Sequence, residues 1–329
     1  MNIPYENQAD TLYFDTVDSF LGESKTRYFS SGYKLIKYQF EDVLLHNDEL
    51  IGILHVEWPK IWAQKKHESI APHLGSLELF VIAAHLVELY LKGIDNLTDS
   101  EIENAWVSFI KINSGVQAIS EIKAEECGCK KISECIIDDK TIQSSFSVKI
   151  VSTLVQITIC HRKNSVPAYM SVNALQLLVK NFYSSFFSIG YKVPVCSIKN
   201  VYVNTTERKA QAEIDICNHE LLSEFTGIGR AFQPFFNFTD GILVVGQVTQ
   251  TLLYNLDGLT RDNTSNLWMR CIESTYKSPI PFDEIITLDI HAEEFKTLRI
   301  KDAVYRVSTI HISISNSRIT GKIKVAHQI

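Results

Sequence analysis

The chain lacks several features, and each absence removes a class of function. No block of five or more like charges occurs along the 329 residues, and 32 Lys and Arg fall short of 38 Asp and Glu, for a formal charge of -6. With no basic face or tail to hold a phosphate backbone, nucleic acid is excluded as a partner. No apolar run reaches the roughly 20 residues that a bilayer requires, so no membrane span is expected. The longest, "LELFVIAAHLVELYL" (77–91), contains Glu78, His85 and Glu88 and reads as a buried helix. The seven cysteines are odd in number and include no C-x-x-C pair. The cluster "CGCKKISEC" (Cys127, Cys129, Cys135) has no adjacent histidine either, so reduced thiols and no metal are expected. The segment "MNIPYENQADTLYFD" has neither the basic nor the apolar part of a secretory signal, which predicts a cytoplasmic protein. Hydrophobic residues at 45% and charged residues at 21% describe a folded globular chain. Its length predicts about two domains.

What the chain does have is a repeat of itself. Residues 95–106, "DNLTDSEIENAW", and 257–268, "DGLTRDNTSNLW", share the frame D-x-L-T followed by N-x-W at a separation of 162 positions, almost half the length. The same offset, without a gap, lays "YKLIKYQF" (33–40) on "VCSIKNVY" (195–202) and "LIGILHVEW" (50–58) on "AEIDICNHE" (212–220). The polar turns "HNDE" and "TERK" make each pair a hairpin. It also lays "SLELFVIAAHLVELYLKGID" (76–95) on "FTDGILVVGQVTQTLLYNLD" (238–257), and both stretches, too long for strands, predict buried helices. Each has one polar stripe at helical spacing: Glu78, His85, Glu88 and Lys92 in the first, Asp240, Gln247, Gln250 and Tyr254 in the second. Beyond Trp106 and Trp268 the offset reads as 156, placing "VSTLVQITI" (151–159) on "VSTIHISIS" (307–315), with about six extra residues in the first half near "AEECGCKKISEC".

The expected fold class is α+β, a tandem or double hotdog in which each half is a curved antiparallel sheet wrapped around one long buried helix. One such unit leaves a sheet edge and part of its helix exposed, and a second copy covers both. The expected boundaries are 1–163 for the N-terminal repeat, 164–194 for a connector with helical spacing at its centre, and 195–329 for the C-terminal repeat. Because the two copies pair within one chain, the expected assembly is a monomer acting as a pseudo-dimer, or a homodimer.

In the hotdog arrangement ligands enter between the central helix and the partner copy. The segment "DGILVVGQVTQ" (240–250) resembles the central-helix motif of the hydroxyacyl-carrier dehydratases of fatty acid synthesis through Gly241 and Gln250. The dehydratase glutamate would fall on Gly246 and the loop histidine at about Phe232, so the acid and base of that mechanism are missing here. In the first half, His73 in "APHLGSLE" lies close to the histidine position and Glu78 one turn into the helix. Over the whole chain, "FLGESKTRYFSSGYK" (20–34), "APHLGSLE" (71–78) and "GQVTQTLLYNLDGLTRDNTSNLWMR" (246–270) resemble the avirulence D family, bacterial enzymes of syringolide synthesis. That resemblance implies condensation of a 3-oxoacyl thioester, donated by acyl-CoA or an acyl carrier protein, with a small keto sugar such as xylulose. The product would be an acyl sugar that cyclises to a signalling lactone. The butyrolactone-signal synthases of streptomycetes look like relatives in fold and reaction type. No cofactor is implied. Two other classes stay open: a hotdog acyl-thioester hydrolase or dehydratase, and a non-catalytic acyl-binding protein.

Acyl transfer to a hydroxyl needs a proton acceptor, donors for the developing oxyanion and contacts for the polyol. Asp240 and Glu78, at equivalent helix starts, are candidate catalytic groups, with helix capping as the alternative. His73 is a candidate base or thioester donor, or a plain loop residue. Gln247, Gln250 and His85 lie on the polar stripes as candidate substrate contacts. Arg261, Asp262, Asn263, Asn266 and Arg270 form a polar cluster after the second helix, aligned with Asp99, Ser100, Glu101, Asn104 and Ser108. The arginines occur in the second copy only and are candidates for a phosphate of the carrier arm or of a sugar phosphate, or for surface salt bridges. Trp106 and Trp268 recur in both halves and read as packing residues.

Overall fold

The computed structural model describes residues 11–65, 68–114, 119–120, 122–162, 175–176, 178–179, 184–264, 266–282, 284–300 and 302–329. Most of the expected connector lies outside the described residues; within it, Leu175, Gln176, Leu178 and Val179 are helical. The molecule is α+β, one large antiparallel sheet with a few helices. In chain order the strands of that sheet are β1 (Thr11–Thr16), β2 (Lys37–His46), β3 (Glu49–Glu57), β4 (Trp106–Asn113), β5 (Glu125–Ile136), β6 (Thr141–Ile150) and β7 (Thr153–Arg162). They continue with β8 (Val195–Asn204), β9 (Lys209–Cys217), β10 (Trp268–Tyr276), β11 (Ile286–Ile300), β12 (Ala303–Ile314) and β13 (Ile319–Gln328). Two long helices, α1 (Ser76–Gly93) and α2 (Phe238–Leu256), follow the β2–β3 and β8–β9 hairpins.

Strict alternation of buried and less buried residues in β3, β6 and β9 gives the sheet one covered face. That face is covered by the helices: α1 lies against β4, β5, β6 and β7, α2 against β8, β9 and β11, and the helices touch each other. Every residue of α1 except Lys92 is buried, as is every residue of α2 except Gln250, Asn255 and Leu256. Each fully buried Leu, Ile, Val or Phe contributes about 1.5–3 kcal/mol, so these two helices share the core with the covered face of the sheet.

Across the sheet the order is β1-β8-β9-β11-β12-β13-β10-β4-β7-β6-β5-β3-β2. Read inward from each end of the shared part, β2-β3-β5-β6-β7-β4 and β8-β9-β11-β12-β13-β10 are the same sequence of elements. The seam is the antiparallel pair β4–β10, in which Lys111 stands opposite Glu273. These two residues are 162 positions apart, each the counterpart of the other, so a local two-fold passes through their contact, Nζ to Oε2 3.4 Å. A second repeat lies outside the frame of 162: "FSSGYK" (29–34) and "FSIGYK" (187–192), offset by 158. Its two copies exchange contacts across the same axis. Lys34 donates to the Pro194 carbonyl at 2.9 Å, Lys192 donates to the Ile36 carbonyl, and the Tyr33 and Tyr191 rings are 6.3 Å apart.

The expected drop of the offset to 156 is corrected by the strand order. Val151 and Ser152 form the turn between β6 and β7, whereas Val307, Ser308 and Thr309 lie inside β12. The same three letters serve a turn in one half and a strand in the other, and the place of β7 is taken by β13. The extra length is also in the other half, since β11 has 15 residues and β5 has 12. One element crosses the expected boundary at 163: β1 pairs with β8, extending the second half of the sheet.

Among the described residues no helix is long and apolar enough to cross a membrane, and no cluster of His, Cys, Asp and Glu is placed to hold a metal. On β5, Cys127 and Cys129 are buried and Cys135 is exposed.

Candidate functional site

A cavity of about 120 Å³ opens where the start of α1 meets the middle of α2. The first half supplies residues 27–29, Trp62 to Leu79 in part, and Thr153; the second supplies Gln247, Gln250, Arg261 and 266–270. The 27–29 wall is set by local chemistry. Gly32 allows the Trp62 carbonyl to press on the backbone, where a Cβ would lie 1.9 Å from that oxygen. Arg27 Nε donates to Ser30 Oγ at 3.2 Å, Ser30 Oγ donates to Gln247 Oε1 at 2.8 Å, and Gln247 Nε2 donates to the Leu243 carbonyl at 3.1 Å. The chain of bonds ties the loop to the polar stripe of α2.

His73 lines this cavity. Its ring packs on Trp62 and Trp268 at centroid distances of 4.9 and 5.2 Å, and burial pushes its pKa below the usual histidine value. Nδ1 lies 3.2 Å from the Ala71 carbonyl, which places the proton of the neutral ring there and leaves Nε2 as a lone-pair acceptor. Glu78 lies just behind the wall: its carboxylate accepts from the Tyr28 hydroxyl and from Gly75 N at 2.9 Å, the returning half of a capping box. Burial raises its pKa to about 7. Tyr28 itself lines the cavity, so Glu78 is linked to it through that phenol.

Asp240, the equivalent of Glu78, does not reach the cavity. It is 1% exposed, accepts from Asn237 N at 3.0 Å, and lies 3.8 Å from Cys196 Sγ; burial raises its pKa to about 7. With Asn237 Oδ1 accepting from Thr239 N at 2.8 Å, it completes the cap of α2. His85 is also elsewhere, between Tyr38 and Phe40, with Nδ1 3.2 Å from the Tyr38 hydroxyl and a pKa lowered by burial to about 3.

The polar cluster after α2 divides. Arg261, Asn266 and Arg270 line the cavity; Asp262 and Asn263 are exposed outside it, Asn263 Oδ1 accepting from Thr260 N at 2.7 Å to close a turn. Arg261 donates to the carbonyls of Thr26, at 2.8 Å, and Gln64, so the guanidinium bridges two loops of the first half. Gln250 lines the cavity and makes no hydrogen bond to a described residue. Gly246 is packed closed: a Cβ there would lie 2.8 Å from Phe29 and 3.0 Å from Met269, so no carboxylate fits at the dehydratase position.

Residues 12–329 match the family described as Pseudomonas avirulence D protein (AvrD). The chain belongs to this family. No curated protein is significantly similar to it in sequence. Among solved structures it is similar to the tesB protein of Mycobacterium avium subs paratuberculosis at 7% identity and a TM-score of 0.40, over 88% of this chain and 94% of that one. It is similar to the dehydratase domain of PpsC from Mycobacterium tuberculosis, in complex with C12:1-CoA, at 8% identity and a TM-score of 0.39, over 92% and 100%. For the 12:0-ACP thioesterase from Umbellularia californica the values are 8%, 0.38, 91% and 98%.

In this avirulence D chain the cavity is also lined by residues that no motif singled out: Arg27, Tyr28, Trp62, Lys65 and Thr153. The signal for the first two is the F-S-x-G-Y-K repeat that follows them, which sets Arg27 against Ser185 and Tyr28 against Phe186. The counterpart of the cavity, around Trp106 and the start of α2, measures about 10 Å³. Aromatic side chains fill it: Phe235 stands where the open site has His73, Phe238 for Ser76, and Tyr276 for Ser114.

Proposed function

We propose that this chain is a tandem hotdog enzyme, with repeats at 1–163 and 195–329 joined by 164–194, that transfers a 3-oxoacyl group from acyl-CoA or an acyl carrier protein to a keto sugar such as xylulose. The observation that carries the reading is the open cavity, where an apolar wall adjoins a neutral histidine and unsatisfied polar groups. Membership of the avirulence D family supports the substrate class that the sequence resemblance implies, and the matching order of strands and helices supports the repeat. Phe29, Leu74, Leu79, Leu267 and Met269 supply the wall for the acyl chain, while Gln250 and Asn266 face the polyol. The sugar hydroxyl oxygen attacks the thioester carbonyl carbon and the C–S bond breaks. The hydroxyl proton passes to His73 Nε2 and then to the departing thiolate. Glu78 positions Tyr28, and Asp240 and His85 serve the core. Because the repeats pair within the chain, a monomer suffices.

Mass spectrometry of the products from a 3-oxooctanoyl thioester, with and without xylulose, tests this. The expected product has the mass of acyl plus sugar, and removing the base in His73→Asn lowers its rate by about 10²- to 10⁴-fold. Asp240→Asn retains the product. Free acid as the sole product would make the chain a hydrolase, and no turnover would leave an acyl-binding protein.

A further inference from the structure

The cavity is electrostatically one-sided. Among the described residues Arg27, Lys65, Arg261 and Arg270 line it and no Asp or Glu does, in a chain of net charge -6. Among the described residues, three buried side-chain atoms on residues that line it have no hydrogen-bond partner: Arg27 Nη1, Trp62 Nε1 and Thr153 Oγ1. The first two are donors only and the third donates as readily as it accepts, so the missing partner is rich in acceptor oxygens. Arg27 is 3% exposed; its Nη2 is spent on Asp18 and its Nε on Ser30, so Nη1 is the guanidinium nitrogen without a partner among the described residues.

The closed counterpart shows that this charge is not a general property of the repeat. In the frames of 158 and 162 residues, Arg27, Lys65, Arg261 and Arg270 correspond to Ser185, Gly227, Asp99 and Ser108. All four positive charges occur only in the half-site that is open. Arg27 is buried against Asp18, and Lys65, Arg261 and Arg270 are half-buried, so an anion entering the cavity meets an excess of positive charge.

We propose that Arg27, together with Arg261 and Arg270, holds a phosphate group of the substrate, one per chain, at the floor of this cavity. Planar guanidinium groups match the oxygens of a phosphate monoester, and the indole and hydroxyl donors complete its shell. Which substrate carries the phosphate rests on the acyl-transfer reading: it belongs to a phosphorylated keto sugar or to the coenzyme A or carrier-protein arm.

Trp62 and Trp268 line the cavity, so tryptophan fluorescence of the full chain reports binding. In phosphate-free buffer at fixed ionic strength, titration with inorganic phosphate, with xylulose 5-phosphate against xylulose, and with coenzyme A against pantetheine reads the subsite directly. Saturable binding of a phosphate compound at one per chain is expected, weakened about tenfold or more in both Arg27→Gln and Arg270→Gln. Arg270 is partly exposed with no ion pair to a described residue, so its variant keeps the test open if Arg27→Gln fails to fold. Preference for xylulose 5-phosphate over xylulose assigns the phosphate to the acceptor; preference for coenzyme A over pantetheine assigns it to the donor. No phosphate binding, binding indifferent to both arginines, or acetate binding as tightly overturns the subsite. Phosphate binding with no condensed product would retain the subsite and remove the acyl-transfer reading; condensed product from xylulose with no phosphate binding would do the reverse.

Discussion

Three buried carboxyl groups, Glu78, Glu88 and Asp240, share one condition: burial raises the pKa of each to about 7, above ordinary values near 4. Their neutral forms suit the fold and their ionised forms do not. Stability is therefore fully present below the unfolded-state pKa values and is lost as pH rises through about 7. For one such group the loss is on the order of 3 kcal/mol. Guanidinium unfolding at pH 5 and pH 8 should show the wild type less stable at pH 8, with part of the difference gone in Glu78→Gln. Equal stability at both pH values would mean that these carboxyls are ionised in the fold. The same residues mark a limit of legibility. Helical spacing assigned Asp240 and His85 to polar stripes, but a stripe gives a face and not what covers it. Cys196 covers Asp240, and Tyr38 and Phe40 cover His85, while Gln250 on the equivalent face opens on the cavity. Arg27 and Trp62 come from loops and Thr153 from a strand start, positions without periodicity, so only the family-like stretch 20–34 and the short repeat at 29–34 pointed toward one of them, Arg27.

The helices were readable because their apolar length exceeds that of a strand and they contain no proline. Strand partners were not: β1 lies far from β8 in sequence, and its addition to that edge is a choice made by the folded sheet. Between these cases stands Gly246, legible as the missing dehydratase acid but not as a packing constraint. In a helix interior alanine gains up to about 1 kcal/mol over glycine. Against that, a Cβ 2.8 Å from Phe29 forces the loop or the helix to move, an overpacking cost of about 1–3 kcal/mol. The clash should win. Gly246→Ala is expected to lower the guanidinium midpoint and to weaken ligand binding in the cavity, because Phe29 and Met269 are its wall. A stabilised variant would show that the 27–32 loop yields freely, and the wall would then be a poor determinant of ligand shape.

At the scale of the molecule, the two halves do not own separate cores. The buried side chains of both form one cluster, the sheet runs unbroken through β4 and β10, and α1 lies against α2. Bonds between the halves are specific as well as apolar: Ser30 to Gln247, Lys34 to Pro194 and Lys192 to Ile36. Opening either half alone would expose the seam strand and one face of the other helix, a loss of burial that no new contact offsets. Chains well above about 150 residues commonly unfold in stages, so a single transition in one of 329 residues would be a strong statement about coupling. That is the expected outcome. Trp268 lies on β10 of the second half and packs on His73 of the first, so a Trp268-only variant, with the other three tryptophans changed to Phe, reports the contact between the halves. Its fluorescence curve in guanidinium should coincide with the far-ultraviolet circular dichroism curve of the same variant. Two separated midpoints would mean that the two halves retain independent stability and that the cavity between them is assembled by docking of two folded units.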